Sequence, residues 1–237
     1  TLRVLENAAA PAGRQIELFV AKVPAISGRK AADPMVLIAG GPGMGSSEMY
    51  PGISQAFARI RRDRDLIIID QRGTGRSNPL NCESSDETAG DLATFTADSR
   101  RCFETLRARA DLTQYTTSAA VQDLERVRRA LGVTQWNLYG VSYGTRVAQH
   151  YLRRFPAQTR SVILDGVVPP GLALGPDIAL DAQAALERVL ARCRGNEACF
   201  ARFGDSRRHV ETLKTRLSTP LRVTDSDPTR GEPRSLE

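Results

Sequence analysis

The sequence predicts an α/β fold, built from a mostly parallel sheet with helices on both faces. Two runs, 35–38 and 66–69, are apolar at every position, which is typical of strands buried on both faces of a parallel sheet. The segment 117–131 carries its apolar residues at helical spacing, so a helix alternates with these strands. This alternation favours parallel strands that are joined by crossover helices.

The same periodicities divide the chain into elements. Strands are predicted at 16–23, 35–39, 66–70, 136–140 and 161–165. Helices are predicted at 52–62, 117–131, 143–154, 178–192 and 206–218. The polar segment 78–115 is expected to be an excursion between core elements.

Three parts follow from this division. Residues 1–170 contain all of the predicted strands and form the sheet domain. Residues 171–218, called the cap segment below, offer helices only. Residues 219–237 are rich in proline, charge and serine, which predicts either a disordered tail or an artificial end of the chain.

The composition is that of an ordinary globular protein, since 41% of the 237 residues are hydrophobic and 25% are charged. No apolar stretch approaches the ~18 residues of a spanning helix, so we expect no membrane span. The net charge of +6 comes from arginines on helix faces, and aromatic residues make up only 5%, so we expect no nucleic-acid partner. With two histidines and no closely spaced cysteine pair, we expect no metal and no other cofactor.

Residues 140–144 read Gly140-Val141-Ser142-Tyr143-Gly144, the pattern G-x-S-x-G, between a predicted strand and a predicted helix. A serine on such a sharp turn has strained backbone angles, so the positions beside it must lack bulk, as Gly140 and Gly144 do. The turn presents the hydroxyl at a helix N-terminus, whose amides favour developing negative charge. The alternative is an ordinary glycine-bounded turn. The pattern predicts that Ser142 is a catalytic nucleophile.

A second glycine cluster, Ala39-Gly40-Gly41-Pro42-Gly43, follows the apolar run 35–38. Acyl transfer needs two amide donors for the tetrahedral oxyanion, one after the nucleophile and one from the loop after an earlier strand. The backbone amides of Tyr143 and Gly41 are the candidates, because Pro42 has no N–H. Gly40, Pro42 and Gly43 would then support the loop. A phosphate-binding loop is the competing interpretation, but no G-K-[ST] follows and the G-x-G-x-x-G spacing fails.

A third block, Asp70-Gln71-Arg72-Gly73-Thr74-Gly75-Arg76-Ser77, follows the run 66–69. Its charges and glycines predict a tight structural turn, in which Asp70 and Arg72 are available for pairing. Direct catalysis by either residue is the less favoured interpretation.

At this point the chain resembles a known group, the prolyl and tripeptidyl aminopeptidases of the α/β-hydrolase fold. The three blocks above and the segment Leu164-Asp165-Gly166-Val167-Val168-Pro169-Pro170 match that group in order and approximate spacing, from about residue 33 to 170. Ala39 departs from the prolyl enzymes, which usually carry histidine before the glycines, and this favours the secreted tripeptidyl branch. The resemblance implies that residues 1–170 are the N-terminal part of the hydrolase core, and that the cap segment begins a substrate cap.

The four cysteines are Cys82, Cys102, Cys193 and Cys199. Their even number and local grouping favour the disulfides Cys82–Cys102 and Cys193–Cys199, and the resemblance to exported peptidases supports the same pairing. Four free thiols in a cytosolic enzyme are the alternative. With disulfides, a secreted or periplasmic location is expected.

Serine needs a base, and the base needs an orienting acid. His150 comes eight residues after Ser142 on the same predicted helix, about 12 Å along its axis, which is beyond hydrogen-bond reach. The set Ser142–Asp165–His209 has the expected chain order, but His209 lies within a helix pattern and the resemblance implies a structural role for Asp165. The resemblance instead implies that the triad Asp and His lie beyond residue 237, on loops after two further strands. We therefore expect a fragment that is inactive alone, with the missing C-terminal half as a partner.

The expected function of the parent enzyme is that of a serine exopeptidase acting on peptides with a free N-terminus. A carboxylate of the cap would bind the substrate amine, and Glu187, Glu197 and Glu211 are available, although nothing distinguishes one of them. Two alternatives stay open. One is an esterase or lipase on the same fold, and the other is a non-catalytic relative that binds without reacting.

Overall fold

The computed structural model describes residues 1–82, 92–173, 175, 177–219, 223–226 and 233–236, with only the backbone for the last two ranges. These residues form two compact units, Thr1–Leu172 and Ala173–Glu237. Each unit is described by itself below.

The first unit is built on a five-stranded sheet with the order β3-β5-β4-β6-β7. Its strands are β3 (Val20–Val23), β4 (Met35–Ile38), β5 (Leu66–Ile69), β6 (Trp136–Val141) and β7 (Thr159–Asp165). Strand β3 pairs antiparallel with β5, and the other neighbours pair in parallel. The predicted α/β class with a mostly parallel sheet is confirmed.

One predicted strand is divided in two. The segment 16–23 contains β2 (Gln15–Leu18), which pairs antiparallel with β1 (Leu2–Leu5), and then β3, which joins the large sheet. Phe19 separates the two strands. Its amide donates to Ser77 Oγ at 2.8 Å and its carbonyl accepts from the Asp70 amide at 3.2 Å, so the backbone leaves one partner and takes up another at this residue.

The helices of the first unit are α1 (Ser46–Ile53), α2 (Leu92–Arg107), α3 (Thr117–Ala130) and α4 (Tyr143–Arg154). The predicted helix 52–62 is wrong, because α1 begins earlier and short 3-10 turns follow it at Ser54–Phe57 and Ile60–Arg62. A capping interaction fixes that early start, since the Gly45 amide donates to Glu48 Oε2 at 2.9 Å. Helix α2 was not predicted, because the whole polar segment 78–115 was interpreted as an excursion between core elements.

Apolar side chains cover both faces of the sheet. Every residue of β4 and β5 is buried, as the two uninterrupted apolar runs predicted. Val36 and Ile38 belong to the larger core cluster, which includes α3 and α4 side chains. Met35 and Leu37 point to the opposite face and pack with Phe57. The alternation of side chains along a strand accounts for the two clusters.

Asp70 and Arg72 are both buried, but they do not pair with each other. The Arg72 guanidinium forms a two-pronged pair with the Asp123 carboxylate of α3, at 2.6 and 2.8 Å, and also donates to the Glu6 carbonyl at 2.7 Å. The Asp70 carboxylate accepts from the Ser47 amide at 2.8 Å and from its hydroxyl at 2.7 Å. Each residue therefore ties a different part of the chain to the turn after β5.

The second unit contains α5 (Ile178–Arg194), α6 (Glu197–Phe203) and α7 (Ser206–Leu217). Helices α5 and α7 match the predicted cap helices, whereas α6 was not predicted. Two short strands, β8 (Val223–Ser226) and β9 (Pro233–Leu236), pair antiparallel in the segment where the sequence predicted no regular structure. None of the residues of α5, α6 or α7 is buried.

Both expected disulfides are formed, Cys82–Cys102 in the first unit and Cys193–Cys199 in the second. Helix α5 ends one residue after Cys193, and Cys199 lies within α6, so the second bond joins two consecutive helices. Within the part of the chain that the structure describes, no helix has the length and apolar character needed to cross a membrane.

Candidate active site

Ser142 lies at the turn between β6 and α4, at the carboxyl end of the parallel sheet. Its backbone angles are φ 53° and ψ −122°, a region that residues other than glycine rarely occupy. Such a conformation costs about 1–3 kcal/mol and persists only where the surroundings enforce it. The residue is exposed, so the strained turn presents its hydroxyl to solvent.

The two glycines of the pattern leave no space for a side chain. A Cβ at Gly140 would lie 2.4 Å from the Gly144 carbonyl oxygen. A Cβ at Gly144 would lie 2.2 Å from the Ile38 carbonyl oxygen, where α4 crosses β4. Both contacts are with backbone atoms, which cannot rotate away. The glycines are therefore required by close backbone packing around Ser142.

The glycine loop after β4 faces the same serine. A Cβ at Gly40 would lie 3.0 Å from Ser142 Cβ and 3.5 Å from Ser142 Oγ, so the loop passes directly beside the hydroxyl. Gly41 and Gly43 have φ values of 104° and 118°, which other residues rarely adopt. The glycine loop and Ser142, which the sequence analysis expected to lie together, are thus adjacent.

The residue after the nucleophile is the first residue of α4. The amides of a first helical turn have no acceptor within the helix, so the Tyr143 amide is free of intrahelical bonding. The side chain of Tyr143 is held in place, because its hydroxyl is hydrogen bonded to Thr117 Oγ1 at 2.7 Å. Thr117 was missed by the sequence analysis, since no pattern links the start of α3 to the turn before α4.

Further hydrogen bonds hold the turn itself. The Ser142 amide donates to the Asp165 carbonyl at 2.8 Å, which extends the pairing of β6 with β7. The Thr145 hydroxyl donates to the Ser142 carbonyl at 2.7 Å and accepts from the Val168 amide at 2.8 Å. Thr145 therefore connects the nucleophile turn to the segment after β7.

Asp70 holds the start of α1 and the residue before it. Besides its bonds to Ser47, its carboxylate accepts from the Arg76 amide at 2.9 Å. A Cβ at Gly45 would lie 3.1 Å from one of the Asp70 oxygens, so the loop before α1 rests on this carboxylate. The role is structural, in line with the interpretation of this block from the sequence.

Asp165 has another partner in place of a histidine. Its carboxylate accepts from the Tyr139 hydroxyl at 2.6 Å. Burial, and then the hydrogen bond and charge of Asp165, raise the pKa of Tyr139 to about 12. His209 lies within α7 in the second unit, with Nε2 2.8 Å from the Phe203 carbonyl oxygen. Asp165 and His209, the acid and the base of the alternative set with Ser142, are thus each hydrogen bonded to a residue of their own unit.

His150 is the one histidine of the first unit, and it lies two turns along α4 from Ser142. Burial, and the positive charges of Arg154 and Arg153, lower its pKa below the usual range. The distance along the helix keeps it from serving as the base, as the sequence analysis expected. Among the described residues, the first unit thus brings together Ser142 and the glycine loop, with no histidine within hydrogen-bond reach of Ser142.

The cap carboxylates are largely paired within the second unit. Glu187 forms an ion pair with Arg207 and accepts from Gln183 Nε2 at 3.0 Å. Glu211 pairs with Lys214 at 3.0 Å. Glu197 lies in the first turn of α6. None of these positions shows which carboxylate would bind a substrate amine.

Comparison with known proteins agrees with this geometry. Residues 33–218 match the family model described as the alpha/beta hydrolase fold. The chain belongs to this family. The matched region includes the glycine loop, the nucleophile turn and the cap helices.

Curated relatives are similar over part of their length. YuaR of Escherichia coli (strain K12) is 33% identical over 158 residues, which cover 65% of this chain and 31% of that protein. The tripeptidyl aminopeptidase of Streptomyces lividans is 32% identical over 183 residues, covering 68% and 34%. The proline iminopeptidase of Xylella fastidiosa (strain 9a5c) is 30% identical over 145 residues, covering 59% and 34%. The chain therefore spans about a third of the length of these relatives.

A solved structure, that of a proline iminopeptidase-related protein from Thermus thermophilus, matches with 26% identity and a TM-score of 0.42, covering 63% of this chain and 40% of that one.

Proposed function

We propose that the parent protein is a serine hydrolase that releases N-terminal residues or short peptides through an acyl-enzyme on Ser142. The observation that carries the proposal is the exposed Ser142, held at φ 53° and facing Gly40. The similarity to a tripeptidyl aminopeptidase and to proline iminopeptidases supports the choice of substrate class.

In the proposed reaction, Ser142 Oγ attacks the scissile carbonyl carbon while a base accepts its proton. The carbonyl oxygen becomes an oxyanion, which the amides of Tyr143 and Gly41 stabilise. Collapse of this intermediate breaks the C–N bond, and the protonated base returns the proton to the leaving amine. Water then hydrolyses the acyl-enzyme and frees Ser142. No metal ion or cofactor takes part in these steps.

The base and its orienting acid are proposed to come from sequence outside these 237 residues. In support, the first unit has no histidine within reach of Ser142, and the chain spans about a third of its curated relatives. The missing C-terminal half is thus the proposed partner. Its role is to complete both the sheet and the proton relay.

The substrate class is tested with the intact parent protein and matched tripeptidyl and aminoacyl amides, with and without an acetylated N-terminus. We expect hydrolysis of the free-amine substrates, little hydrolysis of the acetylated ones, and a loss of about 10⁴-fold or more in the Ser142→Ala variant. Faster hydrolysis of simple acyl esters than of any amide would favour an esterase or lipase. Failure to hydrolyse either class would favour a non-catalytic relative.

We propose a secreted or periplasmic location. The two disulfides support it, because such bonds form and persist mainly in oxidising compartments. Fractionation of the source cells, followed by detection of the protein with an antibody, tests this proposal. Recovery in the cytosolic fraction with reduced cysteines would contradict it.

A further inference from the structure

A recess separate from Ser142 lies on the first unit, between the start of α3 and one face of α4. Its volume is about 360 Å³. Thr117 and Ser118 line it from the N-terminus of α3, and Arg146, His150 and Arg153 line it from α4. We call it the α3–α4 pocket. None of these side chains belongs to the reaction proposed for Ser142.

One wall of the α3–α4 pocket is held in place by hydrogen bonds to α4. An Arg146 terminal nitrogen donates to the Pro169 carbonyl at 3.1 Å, and Gln149 Nε2 donates to the Val168 carbonyl at 3.1 Å. The amide of Val168 donates in turn to Thr145 Oγ1. The segment after β7 is therefore anchored against the helix at one edge of the pocket.

The charge of the α3–α4 pocket is positive. Among the described residues that line it, none is acidic. Neither Arg146 nor Arg153 forms an ion pair with a carboxylate in the part of the chain that the structure describes. Their charges are therefore not neutralised by a carboxylate in contact, unlike those of Arg72 and Arg128 in the same unit.

Backbone amides beside the pocket lack intrahelical acceptors. Arg146 is partly engaged, since one terminal nitrogen donates to the carbonyls of Pro169 and Leu172, and its buried Nε has no hydrogen-bond partner among the described residues. The Thr116 hydroxyl caps α3 by accepting from the Ala119 amide at 3.3 Å, which leaves the preceding amides, those of Thr117 and Ser118, without an intrahelical acceptor. Because the N-terminus of a helix carries partial positive charge, these amides add to the field of the arginines.

We propose that the α3–α4 pocket binds a small molecule through an oxyanion group, a phosphate or a carboxylate. Arginine suits such a group, because its planar guanidinium donates two parallel hydrogen bonds to two oxygens. The amides at the start of α3 supply further donors of the kind that bind anions in many proteins. The pocket volume leaves room for a ligand body beyond the anionic group. This proposal does not depend on the reaction at Ser142.

The test is a titration of the protein with inorganic phosphate at constant ionic strength, in which isothermal calorimetry measures the binding. We expect saturable binding at one site per chain, and a loss of about tenfold or more in affinity in Arg153→Gln and in Arg146→Gln. Arg154→Gln is the matched control, because Arg154 is exposed on the same helix and does not line the pocket. It should change the affinity by less than about twofold.

The second arm separates the two sources of the oxyanion. Trialanine and trialanine amide differ in the terminal carboxylate, so tighter binding of the free acid that depends on Arg153 assigns the site to a carboxylate. Tighter binding of phosphate than of either peptide assigns it to a phosphate. Because Arg153 is exposed, its replacement does not endanger folding, which circular dichroism verifies.

Two results would overturn the proposal. The first is that neither phosphate nor trialanine binds saturably to the unaltered protein. The second is that Arg154→Gln weakens binding as much as Arg153→Gln, since the anion would then be responding to general positive charge on α4. Either result leaves the proposal for Ser142 untouched.

Discussion

The nucleophile turn and the cap helices differ in how tightly the chain itself specifies them. Around Ser142, backbone atoms lie so close that two glycines admit no side chain, and buried polar pairs fix the supporting loops. In helices α5 to α7, by contrast, no residue is buried, and large apolar residues such as Phe203 and Leu217 are 54% and 62% exposed. The comparison teaches that close backbone packing specifies the turn at Ser142, whereas the cap segment is held by few contacts of its own.

The largest effect is expected from a change in the close backbone packing around Ser142. Gly144→Ala places a Cβ 2.2 Å from the Ile38 carbonyl oxygen, so α4 must move away from β4. We expect a loss of about 4 kcal/mol or more in the free energy of unfolding of the first unit. Fluorescence of Trp136, which is fully buried in that unit, follows the urea transition. In the control Gly28→Ala the new Cβ meets no atom within 4 Å, so little change is expected.

The buried ion pair gives the next effect. Arg72→Met leaves the Asp123 carboxylate, whose side chain is 3% exposed, without its main partner. We expect the unfolding free energy of the first unit to fall by about 3 kcal/mol. Arg3→Met is the matched control, because the Arg3–Glu17 pair is exposed, and it should cost less than about 1 kcal/mol. Equal losses in the two variants would show that burial of Arg72 is unimportant.

An effect of intermediate size is expected from pH, because a paired carboxylate, that of Glu125, stabilises the first unit. Hydrogen bonds from Arg128, opposed by burial and aided by Arg129 and Tyr151, lower the pKa of Glu125 to about 2 from its usual 4.5. Because the folded pKa is depressed, this stabilisation is present above about pH 4.5 and is lost as the pH falls toward 2. We expect about 2 kcal/mol of the unfolding free energy to disappear over that interval.

The control for this pH effect is Glu125→Gln, measured by urea unfolding at several values between pH 2 and pH 6. The variant should be less stable than the unaltered protein at pH 6, and the difference should shrink on acidification. A difference that stays constant or grows as the pH falls would contradict the assignment.

The smallest effect is expected in the cap helices. Glu211→Gln removes the ion pair between Glu211 and Lys214. The side chains of these two residues are 64% and 57% exposed, respectively. The helical signal in the far ultraviolet should keep its thermal midpoint, since such pairs contribute less than about 1 kcal/mol. A large shift would mean that the second unit relies on surface charges, and that the contrast with the first unit is wrong.

The sequence predicted those parts of the fold that local physics determines. The uninterrupted runs of β4 and β5 indicated strands buried on both faces, and the spacing of glycines around Ser142 indicated a turn without space for side chains. Contacts between distant residues escaped prediction. The bond between Tyr143 and Thr117 joins two residues that are 26 positions apart in the chain, and no local pattern marks it.

The boundaries of α1 show the same limit in part. Helix α1 begins at Ser46, where the local bond from the Gly45 amide to Glu48 and the bond from the Ser47 amide to Asp70, 23 residues further along the chain, both hold its first turn. The sequence around Pro51 alone favours a later start. Helix α2 has a local signal, because its apolar residues recur at helical spacing, but it was missed when the whole segment 78–115 was interpreted as an excursion.

The most direct test of the central claim is fluorophosphonate labelling of the intact parent protein, with the modified residue located by mass spectrometry of peptides. If Ser142 is the activated nucleophile, the label will lie on Ser142, will form within minutes, and will be absent from the Ser142→Ala variant. If the base lies outside these 237 residues, as proposed, this chain alone will react far more slowly. A label on another serine of the active protein, with Ser142 unmodified, would contradict the account.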